Sequence, residues 1–208
     1  GAGLLHKPLD LGVDLSVQAL TKYVVGHADV FGGVVMSHDK RIAQDVLDCA
    51  DDWGISLAPD DAYTALRGLR SLKTRLDAHE AAGLKLAHWL SQRNEVSQVL
   101  HPALEDHPDH ALWKRDFSGS NGLFSFVLNA TGSNALKRFF DSLELFSMGF
   151  SWGGFESLII PCDPQLNRSA DHWIHDKAGP LLRIHVGLES PDDLIADLDA
   201  GFTAMQGD

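Results

Sequence analysis

The residue best suited to chemistry in this sequence is Lys22, which lies between a hydroxyl residue, Thr21, and an aromatic residue, Tyr23. Its surroundings are mostly small and apolar, and burial disfavours the charged form of a lysine. A neutral amine is what covalent attack on a carbonyl carbon requires. The Thr21 hydroxyl could bind a phosphate. The alternative is a lysine at the end of a strand whose amine reaches out to solvent.

A second candidate is the stretch 147–157, in which small residues alternate with aromatic ones and which contains Phe150, Ser151 and Trp152. Loops of this composition let a ligand approach the backbone while an aromatic side chain packs against it. The alternative is a tight glycine turn between two strands.

A third candidate is Arg183, which lies in the otherwise apolar run 181–186. A buried arginine is costly unless it is paired. Its guanidinium group suits a carboxylate, which could be an internal Asp or Glu or the carboxylate of a substrate. The sequence alone leaves both possibilities open.

The 11 histidines raise the question of a metal site. Two pairs have close spacing, His107 with His110 and His172 with His175. Neither pair has a cysteine partner or a matched third ligand. We therefore expect no metal site.

Composition excludes several classes of partner. The formal net charge is −12, which argues against nucleic acid and against an anionic membrane surface. No apolar run approaches the ~20 residues of a membrane-spanning helix. The two cysteines cannot build a disulfide framework, and the first residues do not resemble a signal peptide, so we expect a cytoplasmic location. The chain opens without methionine, as if it were cut from a longer protein.

The elements that must position these residues can be read from hydrophobic periodicity and from helix and turn signals. We predict helices at 38–53, 59–93 and 132–141, and a last helix that starts at Ser190. Gly68 and Gly83 interrupt the long helix, so we expect a bend or break there. We predict strands at 34–36, 96–100, 123–128, 143–146, 157–160 and 181–186, and a polar loop at 101–111. This order suggests an α+β unit with an antiparallel or mixed sheet, and a domain boundary near residue 68.

Several segments, in the same order along the chain, resemble the pyridoxal-phosphate enzymes of cysteine and methionine metabolism. They are 14–29, 113–117, 122–127, 151–158 and 183–189. Together they cover essentially the whole chain and are far more specific than any one alone. The resemblance implies an α/β protein of pyridoxal-phosphate fold type I, like aspartate aminotransferase. Residues 1–68 would then be the end of the large cofactor domain, and residues 69–208 the small α+β carboxyl-terminal domain.

The resemblance also implies roles for the candidate residues. Lys22 would carry pyridoxal 5′-phosphate covalently and act as base and then acid, and Thr21 would help hold the phosphate. Arg183 would bind the α-carboxylate of an amino-acid substrate, next to Phe150, Ser151 and Trp152. The activity implied is carbon–sulfur β-elimination, in which cystathionine gives homocysteine, pyruvate and ammonia during methionine biosynthesis. Relatives often have a serine three residues before the lysine, where this chain has an alanine, so one phosphate contact is lost or comes from elsewhere.

Two questions remain open within the family. The γ-lyases and γ-synthases share the lysine segment, but Trp152 stands where they usually have leucine and Phe150 where they often have glutamate, which favours a β-lyase. The chain resembles only the carboxyl-terminal half of the family, whose pyridinium-binding aspartate would precede Gly1. The resemblance implies a homo-oligomer, a tetramer in the family, or a complementing amino-terminal half. The alternative is an inactive piece that acts only as a folded interaction module.

Overall fold

The computed structural model describes residues 2–162 and 179–207. Two short strands, β1 (Ser16–Ala19) and β2 (Gly33–Met36), pair antiparallel. Between them the chain makes one wide helical turn, Leu20–Val24, which carries Lys22 and is called the lysine turn below. The helix α1 (Lys40–Asp52) follows, and the Asp39 carboxylate caps its first turn by accepting from the amides of residues 41 and 42.

The long helix α2 (Pro59–Ser91) connects this first part of the chain to the second. It begins with proline and two acidic residues, as helix starts commonly do. The expected break is absent, because the helix runs through both Gly68 and Gly83. Gly68 is required by close packing: a Cβ atom there would lie 2.3 Å from the carbonyl oxygen of Val24. Close contact with the lysine turn thus offsets the loss of helix stability that a glycine within a helix causes.

The second part is a four-stranded antiparallel sheet with helices packed on it. The strands are β3 (Val96–Leu100), β4 (Leu123–Leu128), β5 (Leu158–Pro161) and β6 (Leu181–His185), in the order β3-β4-β6-β5. The helices of this part are α3 (His110–Asp116), α4 (Ser133–Ser142) and α5 (Pro191–Met205). Ser190 caps α5 as predicted. The largest apolar core lies between the sheet and helices α2, α4 and α5.

Most predicted elements are present within a few residues, but two predictions besides the helix break were wrong. The predicted polar loop ends early, because α3 starts at His110. Residues 143–146 do not form a strand. The buried carboxylate of Asp197, on α5, instead accepts hydrogen bonds from the amides of Glu144, Leu145 and Phe146, at 2.8, 3.0 and 3.0 Å. Amides held by one carboxylate are not available for a strand ladder.

The predicted boundary near residue 68 falls inside the unbroken helix α2. None of the helices in residues 2–162 and 179–207 has the length and apolarity needed to cross a lipid bilayer.

Candidate active site

The amine of Lys22 is half-buried and meets a segment from the far end of the chain. Its Nζ donates a hydrogen bond to the hydroxyl of Ser151, at 3.0 Å. The same nitrogen lies 4.3 Å from the ring centroid of Trp152, within the range of a cation–π contact. The fold therefore brings two of the three segments singled out in the sequence into direct contact.

Arg75, on α2, holds the backbone of the lysine turn. Its guanidinium group donates to the carbonyl oxygens of Tyr23 at 2.6 Å, Val24 at 2.9 Å and Gly68 at 2.8 Å, and to the hydroxyl of Ser71 at 3.1 Å. Only 7% of Arg75 is exposed, and this burial lowers the pKa of the guanidinium group. Charged donors to carbonyl oxygens make strong hydrogen bonds, so the turn is held rigidly from the helix side.

Gly153 brings the segment of Ser151 and Trp152 against the lysine turn. It has a φ of +81°, and a Cβ there would lie 2.6 Å from the amide nitrogen of Tyr23. Only glycine can therefore combine this backbone conformation with this close approach. The buried amide of Gly153 donates to Nε2 of His185 on β6, at 3.0 Å.

Arg183 lies in the middle of β6, paired with β4 on one side and β5 on the other. Its Nη2 donates to the carbonyl oxygen of Phe150 at 2.8 Å, and its guanidinium carbon lies 5.7 Å from the ring centroid of Trp152. Trp152 therefore contacts two cations, Lys22 and Arg183. None of the ion pairs found among the described residues involves either cation. Two cations without an internal carboxylate partner in this part of the chain suit an anionic ligand.

Thr21 is next to Lys22, but its hydroxyl is already engaged with Gly32. It accepts from the amide of Gly32 at 2.9 Å and donates to the carbonyl oxygen of the same residue at 3.2 Å. A hydroxyl has a single hydrogen to donate. Binding a phosphate through that hydrogen would require Thr21 to give up its bond to the Gly32 carbonyl, so its role as a phosphate ligand stays a prediction.

The structure thus brings Lys22, Ser151, Trp152, Arg183 and the backbone of Phe150 together, while the Phe150 side chain is largely exposed. Among the described residues no group of three or more His, Cys, Asp or Glu side chains is placed to hold a metal ion. The pair His172 and His175 lies outside the described residues.

Sequence reasoning missed several supporting residues. Arg75 and His79 are one helical turn apart, and both are buried on the face of α2 that also carries Leu72 and Leu76. Polar residues on an apolar helical face are a usable signal, because buried polar groups need partners. His185 gave a similar signal as a second polar residue in the apolar strand of Arg183. Asp197 gave none, since acidic residues are common on solvated helix faces.

The chain is similar to known proteins along nearly its whole length. The family model described as Cys/Met metabolism PLP-dependent enzyme matches residues 1–203. The cystathionine beta-lyase MetC of Escherichia coli (strain K12) is 46% identical over 206 residues, which cover 98% of this chain and 52% of that protein. The cystathionine beta-lyase of Salmonella typhimurium is 47% identical over the same number of residues, with the same coverage.

The chain is also similar to a solved structure along nearly its whole length. The cystathionine gamma synthase of Xanthomonas oryzae pv. oryzae, in complex with cystathionine, superposes with a TM-score of 0.88 at 38% identity, covering 97% of this chain and 53% of that one. The chain therefore has the fold of these enzymes, and it spans about half the length of the relatives it matches. The resemblance found in the sequence is confirmed, and the chain belongs to the family of pyridoxal-phosphate-dependent enzymes of cysteine and methionine metabolism.

Proposed function

We propose that this chain carries the lysine and the carboxylate-binding arginine of a carbon–sulfur β-lyase, which converts cystathionine and water to homocysteine, pyruvate and ammonia. One observation carries the proposal: Lys22 and Arg183 both contact Trp152, and neither is ion-paired to a described carboxylate. Relatives of 46% and 47% identity that are named cystathionine beta-lyase support it.

The residues of the site fit pyridoxal phosphate. The amine of Lys22 is held only by a neutral hydroxyl and an aromatic ring in the described part of the chain, so it can exchange these contacts for a bond to an aldehyde carbon. When bound, the cofactor supplies an electron sink that stabilises negative charge at the substrate Cα atom. Thr21 would help hold the phosphate by giving up its hydrogen bond to the Gly32 carbonyl.

Arg183 is placed to read the α-carboxylate of the substrate. One of its nitrogens is fixed by the carbonyl oxygen of Phe150, which orients the planar guanidinium group. The remaining donors form a fork that matches two carboxylate oxygens. A carboxylate bound there would lie beside the ring that also contacts Lys22, so the substrate Cα would be close to the lysine amine.

Lys22 would then move the protons of the reaction. With the cofactor bound, the amine of Lys22 would be placed to take the proton from the substrate Cα and to deliver a proton to the departing sulfur atom. Ser151 holds Nζ by a hydrogen bond at 3.0 Å. A base that is held in position can accept a proton without first searching for the correct orientation.

A second candidate function is γ-type chemistry on the same substrate class. It is supported by the TM-score of 0.88 to a cystathionine gamma synthase. Trp152 and Phe150 argue against it, because they replace the leucine and glutamate that are usual in the γ-type relatives.

The remaining proposals concern the division into domains, the cellular location and the oligomeric state. Residues 1–68 would belong to the large cofactor domain, and residues 69–208 would form the small domain. The largest apolar core supports this division, because its described members all follow residue 81.

We also propose that the protein works in the cytoplasm on a small amino-acid substrate. It would do so as a homo-oligomer, a tetramer in the family, or together with a complementing amino-terminal half.

Product analysis of the holoenzyme tests the reaction. Incubated with cystathionine, the holoenzyme should release pyruvate and homocysteine in equal amounts. Release of 2-oxobutyrate and cysteine would instead establish γ-elimination. Absence of any keto acid, in a sample whose absorbance shows bound cofactor, would contradict a lyase function. The Lys22→Ala variant is the matched control and should release neither acid.

A further inference from the structure

Two buried histidines that the proposed chemistry does not use lie beside the lysine turn. They are His79, on α2, and His185, on β6, which are 0% and 1% exposed. Their ring centroids are 5.3 Å apart. The ring of Tyr23, the residue after Lys22, packs edge-on against both, at 5.3 and 6.0 Å between centroids.

The contacts of His185 define where its hydrogen lies. The amide of Gly153 is buried, and an amide can only donate, so Nε2 of His185 must accept its hydrogen bond, at 3.0 Å. That nitrogen is therefore unprotonated, and the ring hydrogen is on Nδ1. The carbonyl oxygen of Gly154 lies 3.2 Å from the same Nε2. Gly154 is only half-buried, so solvent can satisfy that oxygen.

His79 has the complementary arrangement. Its Nδ1 lies 2.9 Å from the carbonyl oxygen of Val186. A carbonyl oxygen can only accept, so Nδ1 carries the hydrogen and Nε2 keeps a free lone pair. Within the described residues, Nε2 of His79 and Nδ1 of His185 are buried atoms without a hydrogen-bond partner. One is an acceptor and the other a donor, on neighbouring rings.

Burial favours the neutral form of both rings. The pKa of His185 is lowered to about 4, chiefly by burial; the Gly154 carbonyl opposes this shift, and the charges of His79 and Arg183 add to it. Burial also lowers the pKa of His79, where the charge of Arg75 acts in the same direction and the carboxylate of Glu189 opposes it. Protonation of His185 would put a hydrogen on Nε2, facing the amide of Gly153.

We propose that His185 is a positioning residue for Lys22. Its neutral ring accepts the Gly153 amide and so fixes the turn that carries Ser151 against the lysine amine. The Gly153 amide itself selects this tautomer, because it needs an unprotonated Nε2 as its acceptor. Gly153 transmits the effect, because it packs directly on the backbone of Lys22 and Tyr23. This inference rests on the proposed function of Lys22 as the reacting amine.

Nitrogen NMR of the holoenzyme with ¹⁵N-labelled histidine tests the tautomers directly. The signals of His185 are those lost in the His185→Gln variant. We expect Nε2 of His185 to have the shift of an unprotonated nitrogen and Nδ1 that of a protonated one, unchanged from pH 8 to about pH 5, one unit above its lowered pKa. A protonated Nε2 would overturn the proposal. This readout does not depend on which reaction the enzyme catalyses.

Kinetics of two matched variants test the positioning. In His185→Gln a side-chain oxygen can take the place of Nε2 as acceptor, whereas in His185→Asn the shorter side chain cannot reach the Gly153 amide. We expect the Asn variant to lose about tenfold or more in kcat, as about 1.4 kcal/mol would produce, with a smaller change in KM, and the Gln variant to recover most of that loss. Equal loss in both variants, or a change in KM alone, would overturn the proposal.

Failure of the proposed lyase function and failure of the proposed positioning role would give different results. Inactive wild-type holoenzyme with the expected histidine shifts contradicts the proposed lyase function and leaves the tautomer assignment standing. Active wild-type enzyme with the opposite shifts contradicts the positioning role alone.

Discussion

Replacing Arg183 by lysine separates recognition of a carboxylate from simple positive charge. The guanidinium group has five N–H donors, and one is used on the carbonyl oxygen of Phe150, at 2.8 Å. The others can bind both oxygens of a carboxylate. Lysine presents its three donors from a single nitrogen, so it cannot reproduce the two parallel contacts of the guanidinium fork. One lost hydrogen bond to a charged group costs about 1.5–3 kcal/mol, which is about 10- to 150-fold in kcat/KM.

The assay follows the absorbance of the bound cofactor as amines are added to the holoenzyme. Arg183→Lys should weaken binding of glycine, which has the α-carboxylate, by about 100-fold, and leave binding of methylamine, which lacks it, nearly unchanged. Arg115→Lys is the matched control, because Arg115 is exposed and pairs with its neighbour Asp116. Equal weakening of both amines would mean that Arg183 only holds the Phe150 backbone. Normal glycine binding would refute carboxylate recognition altogether.

Further predictions concern stability and pH. Arg75→Lys should lower the free energy of unfolding by about 2–4 kcal/mol in urea titrations, because it leaves buried carbonyl oxygens without donors; an unchanged unfolding midpoint would contradict this. Asp197→Asn should cost about 2 kcal/mol or more, since one carboxylate serves three amides, whereas Asp199→Asn, on the exposed side of α5, should cost under about 1 kcal/mol; equal losses would contradict the argument. Burial lowers the pKa of His101 and His185 from 6.5 to about 4, so the unfolded chain takes up protons between these values more readily than the folded one. The free energy of unfolding should therefore be highest above pH 6.5 and should fall towards pH 4 by roughly 3 kcal/mol per histidine. Urea unfolding midpoints that do not change over this pH range would refute this prediction.

The strands and helices of the second part could be predicted because their patterns are local. β3 and β4 have the bounds expected from runs of apolar and β-branched residues, and α5 begins at its Ser-Pro-Asp-Asp signal. Prediction failed where a distant side chain decides the local structure. The segment 143–146 has the apolar composition of a strand, but Asp197, more than 50 residues away, binds its amides.

The candidate site was only partly accessible from sequence for the same reason. Residue type and family resemblance together indicated the central residues of the site, which are Lys22, Ser151, Trp152 and Arg183. The residues that hold them in place act through backbone groups and carry no motif of their own. Arg75 is one of them, since its contacts with the lysine turn span more than 50 residues. Such contacts depend on the packing of α2 against that turn, which local patterns do not specify.

Identification of the lysine that binds the cofactor tests the account most directly. Borohydride reduction of the holoenzyme fixes the cofactor covalently to its lysine, and peptide mass mapping then locates it. The account predicts a pyridoxyl group on Lys22 and loss of that labelled peptide in Lys22→Arg. Label on Lys7, Lys40 or another lysine, with Lys22 unmodified in an active preparation, would contradict the central claim.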